Sequence, residues 1–529
     1  MIYNTFLVGD LKRDGEMACT MLVIRNAACL CPMDPERRVI LDNGAVAARN
    51  GRIIAVGTND DIDEVLKTYA SSEEEVESID ARNMLVLPGL VDAHGHAGHG
   101  LLKTLGYGKY NGWLYATRNI YSRGSTEAFW EAEASLCALE RLKFGITTGV
   151  SLLGSDVFRT DDVRYGLAHC NGVSRVGTKS VVAVGANMPA LCAPISDAIA
   201  QSVWVYTHIE ESSTDANVEV VTETQVDADS QLRVCEKLIE LCHDSDTYGK
   251  RVKIAICYPV IKPDMKLPDG VDMSVILAAA KKARALANKY EGVAFTQDGH
   301  SCGTVSWAHK HELLDGNCTY LSHSTDLNDA DFEALKESGA SVVHNPSAVA
   351  SVYGRCPIIE LLDAGVGVAI GSDGTAPDRS TDLFRHMQQA MHYHRRHFRD
   401  PQVLPPGKAL EMVTIDAARV LGLNHEIGSL EVGKRADISL LNLSAAHLAP
   451  LRSMPLEHAI AFANGSDMDT VIIDGKILMR GRHVLTVNED DIIERATIEA
   501  DKAVTRCGLA PLREVCPGFW GSSRYQSEP

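Results

Sequence analysis

The most constraining feature of the sequence is a series of short apolar segments that alternate with helical ones between residues 88 and 424. The apolar segments have the length of β-strands, and the stretches between them repeat apolar residues at the helical period. Eight strand-like segments occur in order, at residues 90–96, 145–150, 180–184, 252–256, 292–295, 319–322, 341–343 and 366–370. Eight strand–helix units over this length predict an α/β fold, a (β/α)8 TIM-like barrel. An open doubly wound sheet is the alternative, but no Gly-rich phosphate loop opens the first unit.

The two ends of the chain differ from this middle region, because both contain short strands around tight turns. Residues 44–48 and 52–56 flank Asn50 and Gly51, a pair typical of a two-residue hairpin. A similar pattern occurs near the other end, at residues 433–441 and 470–478. We therefore predict a small composite β-sandwich domain (1–87 and 425–485), the barrel (88–424) and a C-terminal helix and tail (486–529). Two separate end decorations are the alternative.

The composition indicates which classes of partner the protein is expected to bind and in which cellular compartment it is expected to occur. The chain has 529 residues, 45% of them hydrophobic and 23% charged, as is ordinary for a globular protein. Its net charge of −19 argues against nucleic acid or an anionic membrane as the main partner. No apolar run approaches the roughly 18 residues of a membrane span. The 14 cysteines form no C-x-x-C ladder and the N-terminal residues carry no signal pattern, which predicts a cytoplasmic protein with reduced thiols.

Polar residues lie at the ends of several predicted barrel strands, which is where such barrels carry their chemistry. Residues 87–99 read Leu-Pro-Gly-Leu-Val-Asp-Ala-His-Gly-His-Ala-Gly-His, so the first strand ends at His94 and His96. Alternation along a strand places these two imidazoles on one face. The sixth, seventh and eighth strands end in turn at His323, His344 and Asp373. Imidazole and carboxylate are zinc ligands, so their convergence predicts a metal site at the mouth of the barrel.

These motifs resemble the amidohydrolase superfamily, and within it the group of triazine hydrolases, cytosine deaminase and guanine deaminase. The resemblance covers most of the chain, through residues 88–96, 145–148, 321–323, 344–346, 363–374, 417–422, 428–437 and 474–475. It implies a metal-dependent hydrolase on a (β/α)8 barrel with a composite β-sandwich. His94 and His96 then match metal ligands, and Asp373 matches a ligand that is also the general base. His323 matches the histidine that orients the hydroxide or polarises the substrate.

The fifth predicted strand departs from the pattern of that group. Its members end this strand with His-x-x-Glu, a metal ligand and a proton-shuttling carboxylate, whereas residues 293–300 here read Val-Ala-Phe-Thr-Gln-Asp-Gly-His. This alignment puts Gln297 at the histidine and His300 at the glutamate. Because an amide oxygen binds zinc poorly, we expect His300 to complete the metal shell or to bind substrate beside it, with Gln297 hydrogen-bonding nearby. The alternative is that both line the pocket wall and three protein ligands are left.

Two further segments are candidates for the site. Residues 207–211, Thr-His-Ile-Glu-Glu, match His-x-x-Glu letter for letter, but they fall between the third and fourth predicted strands and are rejected on strand order. The loop at residues 98–113 is rich in glycine and aromatic residues, and its candidate pocket walls are Tyr107, Tyr110 and Trp113. Ordinary loop packing is the alternative for these aromatic residues. His99 in the same loop is expected in or behind the pocket, and His323 and His344 are expected to contact the substrate.

Together these features predict one divalent metal ion, zinc or alternatively iron or manganese, which activates water for attack on a small molecule. Asp373 takes the proton of the water, while His323 and His300 are the further candidate catalytic groups. Without the strand-five glutamate, an activated C–N or C–halogen bond of a small cyclic or N-aryl compound is the favoured substrate. A heterocyclic amine deaminase is the alternative, and a non-catalytic barrel scaffold is a remote one. The resemblance also implies a homo-oligomer.

Overall fold

The structure is a computed structural model that describes residues 20–69, 75–108, 112–154, 159–188, 205–209, 221–225, 228–265, 267, 272–316, 318–348, 350–451, 454–515 and 519–520. The strands in this part of the chain are β1 (Thr20–Leu30), β2 (Ile40–Arg49), β3 (Arg52–Thr58), β4 (Glu75–Asp80), β5 (Met84–Pro88), β6 (Leu90–Asp92), β7 (Ile146–Leu152), β8 (Lys179–Gly185), β9 (Val205–Ile209), β10 (Val221–Gln225), β11 (Val252–Cys257), β12 (Phe295–Asp298), β13 (Thr319–Ser322), β14 (Ser341–His344), β15 (Val368–Ile370), β16 (Ile438–Asn442), β17 (Met468–Ile473), β18 (Lys476–Arg480) and β19 (His483–Val484).

The α-helices of the same ranges are α1 (Asn59–Tyr69), α2 (Gly112–Asn119), α3 (Glu127–Lys143), α4 (Val163–Val176), α5 (Ala228–Cys242), α6 (Met273–Lys289), α7 (Thr304–Lys310), α8 (Asp329–Ser338), α9 (Ala350–Tyr353), α10 (Ile358–Asp363), α11 (Leu383–Phe398), α12 (Pro406–Glu411), α13 (Ile415–Val420), α14 (Pro455–Phe462) and α15 (Glu489–Arg506). Short 3-10 turns include His99–Leu102, and Ile120–Gly124 is a single π-helical turn.

Eight parallel strands form the central barrel, in the order β6-β7-β8-β11-β12-β13-β14-β15. The first and last of them meet just beyond their ends, where the Asp373 backbone N–H donates to the His94 carbonyl at 2.9 Å. All eight predicted strand positions are occupied by these strands, and the predicted barrel is confirmed. Residues 207–209 lie instead on β9, which pairs with β10 in a separate two-stranded sheet. Glu210 and Glu211 lie outside the described residues.

The barrel interior is filled by every second strand residue, as expected for a packed barrel core. The inward-facing apolar residues of the strands and their edges are Val91, Ala93, Val150, Leu152, Val181, Ala183, Ala255, Cys257, Ala294, Tyr320, Val343 and Ala369. Their strand neighbours face outward into a second apolar cluster that packs against the helices; examples are Ile254, Ile256 and Phe295. This alternation fixes which strand residues reach the mouth of the barrel.

The two chain ends build one nine-stranded mixed sheet, in the order β19-β18-β17-β16-β5-β1-β2-β3 with β4 beside β1. Antiparallel pairing of β5 with β16 joins the two ends, with Val86 opposite Leu440. Both faces of β1 are buried: Leu22 and Ile24 belong to one apolar cluster, and Met21 and Val23 belong to another, which α1 covers. The composite sheet domain is thus confirmed, while its predicted limits at residues 87 and 425 stay a prediction.

The predicted hairpin turn between β2 and β3 is confirmed. Asn50 and Gly51 have φ angles of 51° and 78°, so both adopt the left-handed conformation that a two-residue turn of this type requires. At the other end of the chain, α15 lies against α3, with Arg495 Nη2 3.1 Å from Glu131 Oε2.

Among the described residues, no helix combines the length and the hydropathy that crossing a membrane would need. The described cysteines are free thiols; most are buried, whereas Cys302 is exposed and Cys318 is partly buried. The cytoplasmic location and the homo-oligomer stay predictions.

A buried ion pair holds the closing strands of the barrel together. Asp92, at the end of β6, is 3.0 Å from Arg141 Nη2 of α3, and both side chains are buried. The other carboxylate contacts are the backbone N–H and the hydroxyl of Ser372, each at 2.8 Å, just after β15. Arg141 also donates to the Val150 carbonyl and to the Ser151 hydroxyl of β7. This network therefore links the first, second and last barrel strands.

We expect Asp92→Asn to lower the free energy of unfolding by about 3–5 kcal/mol, because the Arg141 charge would be left buried without its partner. Urea-induced unfolding followed by circular dichroism measures the change. Glu77→Gln is the matched control, since it removes the exposed Arg480–Glu77 pair (side chains 47% and 54% exposed) and should cost less than about 1 kcal/mol. Equal losses in the two variants would contradict this account of the barrel closure.

Candidate active site

The segment after β6 carries two imidazoles into the mouth of the barrel. His94 is fully buried, and neither of its ring nitrogens has a hydrogen-bond partner among the described residues. His96 Nδ1 lies 3.2 Å from the Gly154 carbonyl, so it donates there and leaves Nε2 free to bind a cation. Gly95 between them has no room for a side chain, because a Cβ would lie 2.6 Å from Arg141 Nη2. Backbone packing thus presents both histidines to the same point.

Asp373 lies beside both histidines, at the end of the last barrel strand. Its Oδ1 is 3.1 Å from His96 Nε2 and 3.7 Å from His94 Nε2. Its Oδ2 is 3.5 Å from Arg379 Nη1, and the Arg379 side chain is 9% exposed. The φ of Asp373 is 61°, a left-handed conformation that a non-glycine residue adopts at a cost and that is often found at functional sites. The structure brings together these three residues that the sequence proposed as metal ligands.

Asp298 also lies in this cluster, and the sequence interpretation missed it. Its Oδ2 is 3.3 Å from His96 Nε2, and its Oδ1 is 3.5 Å from His94 Nε2. The signal was present in the alternation of strand five. Ala294 faces the barrel interior and Phe295 faces the helices, so Asp298 faces inward and Gln297 does not.

His323 completes the cluster from the end of β13. Its Nε2 is 3.2 Å from Asp298 Oδ1, and its Nδ1 is 3.4 Å from Asn345 Nδ2. Burial lowers the pKa of His323, but the hydrogen bond to Asp298 and the negative charges of Asp298 and Asp373 together outweigh burial, and the net shift is upward. The φ of His323 is 64°, the same unusual conformation as at Asp373.

The other two predicted strand-five residues make different contacts. Gln297 is buried and donates from Nε2 to the Pro259 carbonyl at 3.1 Å. His300 Nδ1 is 2.9 Å from the Thr304 hydroxyl, which itself donates to the Ser301 carbonyl at 2.7 Å. Since that hydroxyl has one hydrogen, Nδ1 is the donor and the buried His300 Nε2 keeps its lone pair. Burial lowers the pKa of His300 to about 4, so the ring is neutral.

The aromatic residues predicted as pocket walls differ in burial and in their distance from the candidate metal-ligand histidines. The half-buried Trp113 meets the His99 ring edge-on at 4.8 Å, and His99 in turn stacks on His96 at 4.7 Å. Tyr107 is 50% exposed, and Tyr110 lies outside the described residues. His344 is buried against His394, with ring centroids 5.3 Å apart, and burial lowers its pKa. Contact of these residues with a substrate stays a prediction.

The model of the amidohydrolase family matches residues 85–478, which include the whole barrel and the strands β16 and β17 of the composite sheet. The chain belongs to the amidohydrolase family. The predicted metal-dependent hydrolase of C–N bonds is thereby confirmed.

Several curated relatives of this amidohydrolase are deaminases. It is 29% identical over 469 residues to a 5-methylthioadenosine/S-adenosylhomocysteine deaminase of Desulforudis audaxviator (strain MP104C), covering 87% of this chain and 95% of the relative. It is 27% identical over 487 residues to a 5′-deoxyadenosine deaminase of Methanosarcina mazei, covering 92% of this chain and 99% of the relative.

Two solved structures share the fold. One is an adenosine deaminase from Xanthomonas campestris with bound zinc, with a TM-score of 0.70, 22% identity, and coverage of 92% of this chain and 98% of that one. The other is an atrazine chlorohydrolase from Arthrobacter aurescens TC1 complexed with zinc, with a TM-score of 0.68, 19% identity, and coverage of 90% and 100%.

The donor set of the amidohydrolase site fits a divalent cation. Within the described residues, donor atoms of His94, His96 and Asp373 lie within 4.8 Å of one another, as do those of His94, Asp298 and His323. The unpartnered nitrogens of the fully buried His94 are an independent sign, because buried polar atoms normally have a partner. Imidazole nitrogens with carboxylate oxygens are a common ligand set for zinc, iron or manganese.

The carboxylates and imidazoles of the cluster stabilise each other's charged forms because they lie close together. Burial alone would raise the pKa of each carboxyl, but the neighbouring imidazoles outweigh it and hold the pKa of Asp298 and Asp373 well below the usual range. Burial likewise opposes the charged form of His96, yet its hydrogen bonds to the two carboxylates raise its pKa well above the usual value. A cation entering the cluster would therefore displace protons, which makes its binding weaker at acid pH.

The turn that follows His96 is held from behind by Glu133 of α3. This carboxyl is fully buried and accepts a hydrogen bond from the Gly100 backbone N–H at 3.3 Å. Its Oε2 is 3.7 Å from Nδ1 of the buried His169, whose pKa burial lowers to about 3. Burial raises the pKa of Glu133 to about 7, more than the backbone hydrogen bonds lower it.

We expect Glu133 to contribute stability to the amidohydrolase that is lost as pH rises from about 4.5 to about 7. Over that range the folded state keeps the Glu133 proton and the unfolded chain has lost it, so the unfolded state binds fewer protons and gains relative stability. Glu133→Gln removes this contribution, so the urea midpoint of the variant relative to that of the native protein should rise with pH across the range. Glu494→Gln, on the exposed face of α15, is the control and should follow the native curve. A native-like slope in Glu133→Gln would rule out this source.

Proposed function

We propose that the protein is a metal-dependent deaminase that hydrolyses the exocyclic C–N bond of an aminated heterocycle of the adenine type and releases ammonia. The cluster of His94, His96, His323, Asp298 and Asp373 carries the proposal, because it supplies metal ligands and proton carriers at one point of the barrel mouth. The relatives support the substrate class. They act by name on adenosine derivatives and match nearly their whole length. Hydrolysis of a C–halogen bond is the alternative that the product assay must exclude.

One divalent ion, held by His94, His96 and Asp373, would supply an activated water molecule, since such ions lower the pKa of bound water toward about 7. Asp373 receives the proton of the attacking water and passes it to the departing amino group, which leaves as ammonia. Its Oδ2 is the suitable atom because Oδ1 faces the two histidines. Arg379 is 3.5 Å from that Oδ2 and orients the carboxylate. The ion pair at Asp92 lies directly behind and limits movement of the strand ends.

His323 supplies the proton that a ring nitrogen needs during attack. Its raised pKa means that it carries a proton more readily than an ordinary histidine, and its Nε2 is the atom that faces the cluster. In this role His323 replaces the proton-donating function of the strand-five glutamate that this chain lacks. His300 does not replace that glutamate as an acid, because its ring is neutral and its Nε2 carries a lone pair.

His300 instead binds the substrate as an acceptor. A buried lone pair on Nε2 suits the N–H of an exocyclic amino group, which has hydrogens to donate before it leaves as ammonia. Selection for such a group follows, because an analogue without the N–H would leave Nε2 unpaired at a cost of about 1–3 kcal/mol. The rings of His99 and Trp113, which meet edge-on, form a further wall of the proposed pocket.

We expect Asp373→Asn to lower kcat for ammonia release by about 10²- to 10⁴-fold, the usual contribution of a proton-transferring side chain. The assay offers adenosine derivatives, other aminated heterocycles and chlorinated heterocycles, and quantifies ammonia and chloride separately. His447→Ala, a change at a side chain that is 46% exposed, is the control. Chloride release without ammonia release across the panel would overturn the deaminase proposal.

Removal of the metal by a chelator should abolish ammonia release and lower the melting temperature. The second effect follows because an ion that binds only the folded state stabilises it by RT ln(1 + L/Kd), where L is the concentration of free ion. Restoring one equivalent of zinc, manganese(II) or iron(II) should restore both properties. Full activity and an unchanged melting temperature in protein shown to be metal-free by elemental analysis would disprove a metal-dependent reaction.

A further inference from the structure

We propose that Asp298 is the fourth protein ligand of the metal, in place of His300, and that its carboxylate shifts the preference of the site toward manganese(II) or iron(II) and away from zinc. This inference rests on the metal-dependent reaction proposed above. It adds the strand-five ligand and the kind of ion that the site prefers.

The two carboxylates flank the two imidazoles almost symmetrically. His94 Nε2 is 3.5 Å from Asp298 Oδ1 and 3.7 Å from Asp373 Oδ1. His96 Nε2 is 3.3 Å from Asp298 Oδ2 and 3.1 Å from Asp373 Oδ1. An ion bound by both Nε2 atoms therefore has a carboxylate on each side at similar distances. A ligand role for one carboxylate implies the same role for the other.

Asp298 is also held in the orientation of a ligand. Its Oδ1 accepts hydrogen bonds from the Ser322 hydroxyl and lies 3.2 Å from His323 Nε2. These contacts use one oxygen and leave Oδ2 directed at His96. Ligating carboxylates in metalloproteins are typically oriented by such hydrogen bonds.

The two residues that the sequence proposed for this position are occupied elsewhere. Gln297 lies on the outward face of β12 and donates to the Pro259 carbonyl. His300 is bound through Nδ1 to Thr304, and neither cluster of mutually close donors among the described residues includes it. The left-handed Gly299, with φ of 97°, turns the chain after Asp298 and separates His300 from the strand.

The ligand chemistry sets the preference for the ion. Carboxylate oxygens suit manganese and similar hard cations, and two histidines with a carboxylate are a common iron(II) set, whereas added imidazole favours zinc. A second carboxylate also adds a negative charge at the site. Arg379, 3.5 Å from Asp373 Oδ2, supplies a buried positive charge that offsets it.

The test compares the native protein with Asp298→Asn, Asp298→His and His300→Gln. Each protein is stripped of metal and loaded with zinc, manganese(II) or iron(II), and its metal content and dissociation constants are measured by elemental analysis and chelator competition. Asp298→Asn should weaken binding of manganese(II) by more than the about 10- to 100-fold that loss of a supporting residue costs. Asp298→His should bind one equivalent of zinc and raise the zinc-to-manganese affinity ratio at least about 10-fold. His300→Gln should keep the native metal content and ratio.

Native affinities in Asp298→Asn, or loss of metal in His300→Gln, would overturn the proposal. If Asp298→Asn does not fold, the zinc-to-manganese ratio of Asp298→His decides, and an unchanged ratio refutes the role of Asp298. Visible absorption of the cobalt(II)-loaded proteins gives a second readout, since its bands must shift when a carboxylate ligand becomes imidazole. These measurements need no substrate. A protein that releases no ammonia yet behaves as expected here would refute the proposed reaction alone.

Discussion

The contact between the first and last barrel strands determines whether this site exists. His94 and Asp373 follow the first and last barrel strands and are 279 residues apart in the sequence, and one backbone hydrogen bond of 2.9 Å joins them directly. Asp92 strengthens the same junction, because its carboxylate binds Arg141 on one side and the Ser372 backbone on the other. A polar network this deep in an apolar fold costs desolvation energy, which full pairing must offset. The junction thus ties the geometry of the ligands to the closure of the barrel.

Close packing of backbone and rings gives the site its shape. Gly95 and Gly374 are positions where a Cβ would collide with Arg141 and with His99, at 2.6 Å and 1.7 Å respectively. His99 can therefore lie over His96 as a flat ring, and its burial lowers its pKa and keeps it uncharged. A neutral ring in this position adds no positive charge beside a cation. His99 thus both forms part of the pocket wall and keeps additional positive charge away from the proposed metal site.

Much of this structure could be predicted from periodicity. The eight barrel strands, the hairpin at Asn50 and the convergence of His94, His96 and Asp373 all follow from patterns within short windows. Asp298 was missed because the family motif was aligned by letters, which placed Gln297 inward. Phe295 indicated the correct register. Its large apolar side chain packs against the helices, so by alternation Gln297 faces outward and Asp298 faces the barrel interior. The position of His300 depended on the left-handed turn at Gly299, which no local pattern specifies.

The pairing of β5 with β16 has a consequence for how the chain is made. Val86 of β5 pairs with Leu440 of β16, so about 350 residues must be synthesised after β5 before β16 is available to pair with it. At typical rates of synthesis this takes about 20–70 s. During that time the apolar face of β1 that contains Leu22 and Ile24 has no strands from the other end beside it, although the barrel strands are already emerging. The early strands of this enzyme thus depend on protection from association with other chains, by the ribosome-bound remainder of the protein or by chaperones, until the strands at residues 438–484 appear.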